Sequence, residues 1–414
     1  MEFVLSKRQL AIREAIHGFA KNVIRPQALT WDREGGIPED FLRNLIRMAA
    51  EMGSATGMTM GPGFEEDVQD EADPAPDSPE PKKKQSHLTS LVAAEEMSWA
   101  DAGLLLCVPG PGLGGPPVRA SGTPSQKERF FGIFKDMSEE LRWGAYALTE
   151  PGAGSDVAGI RTSCRKEGHE WILNGRKCFI TNGGRASWTV VFATVDPALG
   201  RAGHRAFVVE KGTPGFGVGR VEEKMGLRAS ETVELVFEEC RVPEENLLGG
   251  EESYQSKEGF MTAMKTFDNT RPLVAAMALG IGRAAYDYAK EFIKENYDLS
   301  RPIARYAAMA DKLARMGRQL EAARMVTWRA AWMADQGQPN AREASMSKAI
   351  AGQAAIYACI EAIELCGIEG SIAREHQLLE KWFRDIKVYD IFEGTGNIQR
   401  IVISKRLIEG LKGF

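Results

Sequence analysis

Apolar positions at the start of the chain recur at near-helical spacing. Phe3, Leu10, Ile12, Ile16, Phe19 and Val23 line one stripe of an amphipathic helix over Met1 to Ile24. A second helical run, Phe41–Met52, follows Asp40, which, or a neighbour of which, is suited to cap it. Residues 54–86 break the pattern. Glu65-Glu66-Asp67, Asp77-Ser78-Pro79-Glu80 and Lys82-Lys83-Lys84 leave too few apolar side chains for this stretch to fold alone. It reads as a surface insertion, with a partner-docking segment as the alternative. The helical period resumes over Leu88 to Leu106, and Pro109–Pro117 is too rich in Gly and Pro for a good helix.

From about Trp143 the pattern becomes that of strands. Glu170 to Gly175 ends in Asn174-Gly175, a strong hairpin signal. Lys177–Thr181, Trp188–Thr194, Arg205–Val209 and Thr232–Glu238 are short strands divided by Asn182-Gly183-Gly184 and Thr213-Pro214-Gly215. After Asn246 the helical period returns in Arg271–Glu295, Tyr306–Asp335, Ala341–Cys366 and Asn397–Leu411. The fold class is α+β: a helical domain over 1–142, a small antiparallel β domain over 143–250 and a helical bundle over 251–414.

Composition narrows the chemistry a little. A chain of 414 residues exceeds the roughly 250–300 residues at which single cores stop growing. The formal net charge of −5 argues against a nucleic-acid backbone binder. No apolar run reaches the roughly 18 residues of a membrane span, and the charged start lacks the apolar centre of a signal peptide. Six cysteines without a C-x-x-C pair and five scattered histidines suggest no metal site and a reduced, cytoplasmic setting.

Three segments carry candidate chemistry. Tyr146-Ala-Leu-Thr-Glu-Pro-Gly-Ala-Gly-Ser-Asp156 sets glycines and hydroxyls where backbone N–H groups can approach a ligand, although a tight strand-to-loop turn uses the same residues. Lys177-Cys-Phe-Ile-Thr-Asn-Gly-Gly184 presents an aromatic and a hydroxyl before a turn and, alone, is a hairpin. In Tyr389-Asp-Ile-Phe-Glu-Gly-Thr-Gly-Asn-Ile-Gln-Arg400, Glu393 beside Phe392 and Ile391 is partly desolvated, which raises a carboxyl pKa toward that of a useful base. A lone loop glutamate is more commonly just solvated.

In this order, and with Glu222–Ser230, Arg241–Gly249 and Phe267–Arg271 in register, these segments resemble the acyl-CoA dehydrogenase family over nearly the whole chain. The resemblance implies an all-α domain, a β domain and a four-helix bundle, commonly assembled as a tetramer, with FAD between the last two. By position, Tyr146, Leu148, Thr149, Gly154 and Ser155 match flavin and substrate contacts. Phe179, Ile180 and Thr181 match the group on the flavin ring. Glu393 matches the base, with Gly394 and Thr395 beside it, and Asp268 and Arg271 match positions that contact CoA and organise the base. A few related enzymes carry the base at the position of Thr270, which cannot serve as one. The implied reaction is α,β-dehydrogenation of an acyl-CoA to the trans-2-enoyl-CoA, with electron-transferring flavoprotein as acceptor.

The chain also departs from the family. Phe292–Arg301 lacks the usual Phe-Gly, and Glu364 and Gly367-Ile368 stand where a Gln and a Gly-Gly face a neighbour's cofactor. Both losses fall on residues given to a partner's flavin, so they predict one subunit of a hetero-oligomer, the alternative being a homotetramer with substitute contacts such as Arg301 or Lys294. Small residues over Pro109–Pro117, at the far wall of the acyl pocket in the family, predict a roomy cavity for long or bulky acyl groups. Two rival functions stand beside the main one. An acyl-CoA oxidase usually carries a further domain, and a non-catalytic structural subunit would not need the retained Glu393.

Overall fold

The structure, a computed structural model, describes residues 4–56, 86–137, 139–254, 267–297, 304–372, 374 and 376–411. Most of the acidic insertion, Phe3 and Arg301 lie outside the described residues. Helix α1 (Lys7–Phe19) starts at a capping box in which Ser6 and Gln9 each accept from the other's backbone N–H, and it buries Ile12 and Ile16. It does not run on as one helix. Ala20–Ile24 is a π turn and Arg25–Gln27 a 3-10 turn. The wider π turn rotates the apolar stripe, so Val23 is 40% exposed and Ile24 is buried in its place.

Helices α2 (Ala28–Glu34) and α3 (Glu39–Thr56) follow. Asp40 lies inside the first turn of α3 beside Glu39, where negative charge meets the positive end of the helix dipole. The expected helix over 88–106 is two, α4 (Ser86–Ala100) and α5 (Leu104–Cys107). The break is at Asp101, whose Oδ1 accepts the Leu104 N–H at 2.9 Å. The Gly-Pro run does become helical, as a 3-10 turn over Gly112–Gly114 and α6 (Gly115–Ser121). Its prolines fall in the first turn, where a missing N–H leaves no bond unmade. Helix α7 (Pro124–Gly132) is closed by a Thr123–Gln126 capping box.

Seven strands form the middle domain: β1 (Gly144–Ala147), β2 (Ser163–Glu167), β3 (Glu170–Thr181), β4 (Trp188–Thr194), β5 (His204–Glu210), β6 (Phe216–Val221) and β7 (Thr232–Pro243). Their order is β1-β4-β2-β3-β7-β6, with β5 on β4. The sheet is mixed rather than purely antiparallel, because β4 runs parallel to β1 and to β2. Asn174-Gly175 is not a hairpin turn. β3 runs through it, and the pairing with β7 slips between Leu173 and Gly175. A Cβ on Gly175 would lie 2.6 Å from Thr162 Oγ1, so the glycine serves a bulge and a close strand crossing. The turn between β2 and β3 is Gly168-His169, with Gly168 at φ 60°.

The last domain comprises α8 (Phe267–Asn296), α9 (Ala304–Asp335), α10 (Ala341–Leu365), α11 (Gln377–Tyr389) and α12 (Gly396–Leu411). Helix α11 goes beyond the four helices that the periodicity predicts. The first and last helical segments share one hydrophobic core, in which Met97 and Trp99 of α4 join Ile281 of α8 and Trp382 of α11. Gly280 lets α4 approach, since a Cβ there would strike the Glu95 carbonyl. Across the same contact Glu95 pairs with Arg283 at 2.9 Å and Arg324 at 2.8 Å.

Helix α11 is the joint between all three segments. Buried Lys381 reaches Asp101 at 2.8 Å and Asp385 at 2.6 Å. Asp385 accepts the Leu227 N–H of the β domain at 2.6 Å. Arg384 pairs with Asp32 at 2.7 Å and donates to the Met225 carbonyl at 2.9 Å. Tyr389 donates its hydroxyl proton to the Ala102 carbonyl at 3.2 Å. Removing Lys381 leaves two buried carboxylates without their cation. We expect Lys381→Met to lose about 3–5 kcal/mol of stability, read from the midpoint of urea denaturation.

Candidate active site

Glu393 lies in the turn between α11 and α12, and its backbone is strained. It has φ 52° and is followed by Gly394 at φ 90°. The left-handed region costs a non-glycine residue roughly 1–2 kcal/mol and persists where the surroundings over-determine it. Gln399 Nε2 donates to the Glu393 carbonyl at 3.2 Å and the Gly394 carbonyl at 2.9 Å. Lys348 Nζ donates to the Gly394 carbonyl at 2.7 Å and the Tyr389 carbonyl at 3.2 Å.

Burial pushes the Glu393 carboxyl above its ordinary pKa, opposed first by a hydrogen bond from Thr270 and then by the charges of Lys348 and Arg271. Its Oε2 is buried and has no hydrogen-bond partner among the described residues. A buried acceptor left open in this way is costly unless something else meets it. Phe392 packs edge-on against Tyr389 with ring centroids 5.0 Å apart, but Ile391 is 50% exposed. The desolvation expected from Ile391 therefore has another source. Burial, and after it the Glu393 charge, pushes the phenol pKa of Tyr146 in β1 up, so the first and third motifs lie within electrostatic reach of each other.

The first motif is anchored by a buried ion pair. Lys177 Nζ reaches Glu150 Oε1 at 2.7 Å and the Leu148 carbonyl at 3.0 Å. Glu150 also accepts the N–H groups of Arg161 at 2.6 Å and Thr162 at 2.9 Å. Behind this anchor Leu148 is in the hydrophobic core, which leaves its backbone as the part able to meet a ligand. Thr149 is half-buried, and its carbonyl accepts from Cys178 N–H at 2.9 Å. Gly152, Gly154 and Ser155 are exposed, and a Cβ on either glycine would meet nothing within 4 Å. Packing does not require these glycines; they leave the backbone open to close approach.

In the second motif the pairing of β3 with β7 slips between Lys177 and Ile180. Phe179, at φ 59°, is turned outward there and is 64% exposed. Ile180 points into the β-domain core, and Thr181 is half-buried. An aromatic held outward on strained backbone suits a planar ligand. Thr395 accepts the Ile398 N–H at 3.3 Å and so caps α12. Arg271 is half-buried, with its charge felt at Glu393. Asp268 is in α8, but its side chain lies outside the described residues. The exposed aromatic, open glycine tip, nearby hydroxyls and unpartnered carboxylate oxygen fit FAD and an acyl thioester.

The small residues of Pro109–Pro117 serve packing. A Cβ on Gly114 would lie 2.5 Å from both the Ala145 carbonyl and the Trp188 ring, and one on Gly112 2.9 Å from the Gly144 carbonyl. The segment crosses β1 at backbone distance, so its small residues are no measure of acyl-cavity size. Lys348, Gln399 and the Glu150–Lys177 pair belong to the site as well, although no motif marks their roles. The signal for the first is a lysine on the alanine-rich helix α10, and Gln399 lies inside the third motif itself.

Comparison with known proteins bears on the same residues. The family profile for the acyl-CoA dehydrogenase middle domain matches residues 145–240, and that for the C-terminal domain matches 257–408. The chain is 38% identical over 328 residues to the short-chain specific acyl-CoA dehydrogenase, mitochondrial, of Rattus norvegicus, covering 79% of this chain and 77% of the relative. It is 35% identical over 408 residues to an acyl-CoA dehydrogenase of Bacillus subtilis (strain 168), covering 98% and 99%. The solved structure of butyryl-CoA dehydrogenase from Megasphaera elsdenii superposes with a TM-score of 0.82 at 32% identity, covering 99% of this chain and 100% of that one.

The Thr270 hydrogen bond favours the ionised carboxylate, so its removal must raise the Glu393 pKa. In Thr270→Val the Glu393 carboxyl should titrate at higher pH, followed by infrared difference spectroscopy with Glu393→Gln as the blank. An unmoved titration would remove Thr270 from the site's electrostatics.

Proposed function

The chain belongs to the acyl-CoA dehydrogenase family, and from that premise we propose that Glu393 is the base that removes the α-proton of a short-chain acyl-CoA. The protein is an oxidoreductase, and the reaction it carries is acyl-CoA dehydrogenation. The observation that carries the assignment of Glu393 is its buried, unpartnered Oε2.

The α-proton of a thioester is a weak acid, so its removal needs a base and stabilisation of the negative oxygen that develops. Glu393 Oε2 takes the proton, negative charge builds transiently on the carbonyl oxygen, and the electron pair of the α-C–H bond ends as the α,β double bond when the β-hydride departs. The Glu393 backbone N–H is the protein donor to that oxygen, a contribution of about 3–4 kcal/mol for such a donor. FAD, when bound, supplies the two-electron acceptor that takes the hydride from the β-carbon. Phe179, with the backbone of Ile180 and the Thr181 hydroxyl, would hold its ring. Tyr146, Leu148, Thr149, Gly154, Ser155 and Thr395 would line its surroundings, and Ser155, Gly394, Asp268 and Arg271 the thioester and CoA. Lys348, Arg271 and Thr270 keep the buried carboxyl within reach of ionisation. Electron-transferring flavoprotein is the proposed acceptor of the electrons.

A short acyl group is supported by the rat and Megasphaera relatives and by the packing role of Gly112 and Gly114, which withdraws the ground for a long or bulky one. Anaerobic addition of butyryl-CoA should bleach the flavin of the wild type faster than palmitoyl-CoA does, while Glu393→Gln keeps its flavin and is slowed by at least about 10³-fold. Near-native bleaching by Glu393→Gln would show that the base is another group. Faster bleaching by palmitoyl-CoA would restore the long-chain reading, and rapid oxygen uptake would mark an oxidase.

The proposed assembly is a tetramer of this chain. Ile350, Ile360, Ile368, Phe383, Ile391 and Ile401 are exposed on the helices and turns of the bundle, apolar side chains that a neighbouring subunit could cover. Glu364, whose charge would repel a neighbour's diphosphate, pairs with Lys312, which also holds Glu361 at 2.6 Å. That pairing weakens the electrostatic ground for a sister chain. Lys294 pairs with Glu291 at 2.7 Å. Native mass should give a tetramer with one FAD per chain; a colourless smaller species that takes up FAD only beside a sister chain would establish the hetero-oligomer instead.

A further inference from the structure

We propose that Lys348 and Gln399 are positioning residues, a two-sided clamp that fixes the left-handed backbone at 393–394 and so the direction in which the Glu393 carboxylate meets the α-carbon. The proposal rests on Glu393 being the base. Both donors converge on the Gly394 carbonyl, Lys348 Nζ from α10 at 2.7 Å and Gln399 Nε2 from α12 at 2.9 Å. Each then spans to a second carbonyl. Lys348 holds Tyr389 at the end of α11, and Gln399 holds Glu393 itself. The turn is thus tied on either side to rigid helices, the condition for a site held to sub-ångström tolerance.

Two further observations separate a clamp from ordinary packing. Gly394 is required by its φ of 90°, and a Cβ there would lie 2.6 Å from Gln399 Nε2, so the amide could keep its two carbonyls only beside a glycine or by shifting. Lys348 is 1% exposed and Gln399 0%, and Lys348 sits among small residues such as Ala344, Ala351 and Gly352. Burying an ammonium there is costly. Its pKa falls to about 8 through burial, opposed by Glu393 and Asp390 and aided by Arg271. An apolar side chain would serve packing at lower cost; an ammonium is needed where two carbonyls must be held.

Among the described residues, the charged and titratable groups facing Glu393 are Lys348 from α10, Arg271 from α8 and Tyr146 from β1, and Asp390 of the same turn faces Lys348. Loss of the Lys348 charge therefore raises the pKa of Glu393, whereas replacing the neutral Gln399 leaves it in place. The test is stopped-flow flavin reduction of the holoenzyme, with an acyl-CoA that bleaches the wild type. Lys348→Met and Gln399→Leu should both keep their flavin, bind substrate within about threefold of wild type and reduce about 100-fold more slowly. The pH midpoint of the reduction rate should rise by about one pH unit in Lys348→Met and stay in place in Gln399→Leu. If Lys348→Met fails to fold, Gln399→Leu decides by rate against affinity. Wild-type reduction rates in Gln399→Leu, or equal losses of rate and affinity, overturn the clamp. Glu393→Gln, run beside them, reports on the base alone, so a wrong base and a wrong clamp give different results.

Discussion

The buried charge cluster on α11 is the constraint to which the rest of the structure answers. Lys381 is flanked by Asp101 and Asp385, and Asp385 holds the backbone of Leu227. One ammonium thereby ties the bundle to the first helical segment, and through Asp385 to the β domain. In a low-dielectric interior such a cluster tolerates only one geometry, because any shift leaves a charge unpaired. Glu393 follows Tyr389, the last residue of the same helix, so the cluster that joins the segments also sets where the candidate base stands relative to Tyr146.

At the site itself opposing effects are balanced closely. Burial favours the neutral carboxyl of Glu393, and Thr270, Lys348 and Arg271 favour the anion. A fully solvated carboxylate would be a weak base, and one buried without cations would stay protonated at neutral pH. The same logic operates on the β-domain side, where the Glu150–Lys177 pair holds the loop whose tip is left open. In both places strained or open backbone is supported by fully buried polar groups nearby, as at Phe179 and Glu393.

Much of the fold was legible because its causes are local. The long amphipathic helices of the bundle and the Val-, Thr- and Phe-rich strands follow from periodicity and side-chain shape. Where local cues misled, a tertiary contact had overruled them. The π turn at Ala20–Ile24 turned Val23 outward. Asn174-Gly175 became a bulge because Thr162 crosses there. The glycines at 112 and 114 proved to be spacers against β1 and Trp188. Leu148, just past β1, and Ile180, beyond the slip in β3, lie inside site motifs yet are buried in hydrophobic clusters, because the anchoring of the loop and the bulge, not the motif, sets which way each side chain turns.

By itself the sequence determined the order of helical and strand segments and the three motifs, because these depend on residue type and near-neighbour spacing; Glu393 became the candidate base through the resemblance of those motifs to the family. Only the tertiary structure decided the mixed sheet, the joint at α11, the approach of Tyr146 to the Glu393 charge and the convergence of Lys348 and Gln399 on one carbonyl. Those facts rest on side chains far apart in the chain, from Asp101 to Lys381 and from Lys348 to Gly394. Their pairing is enforced by the cost of leaving a buried charge or carbonyl unmet, a cost that exists only once the chain has closed around them.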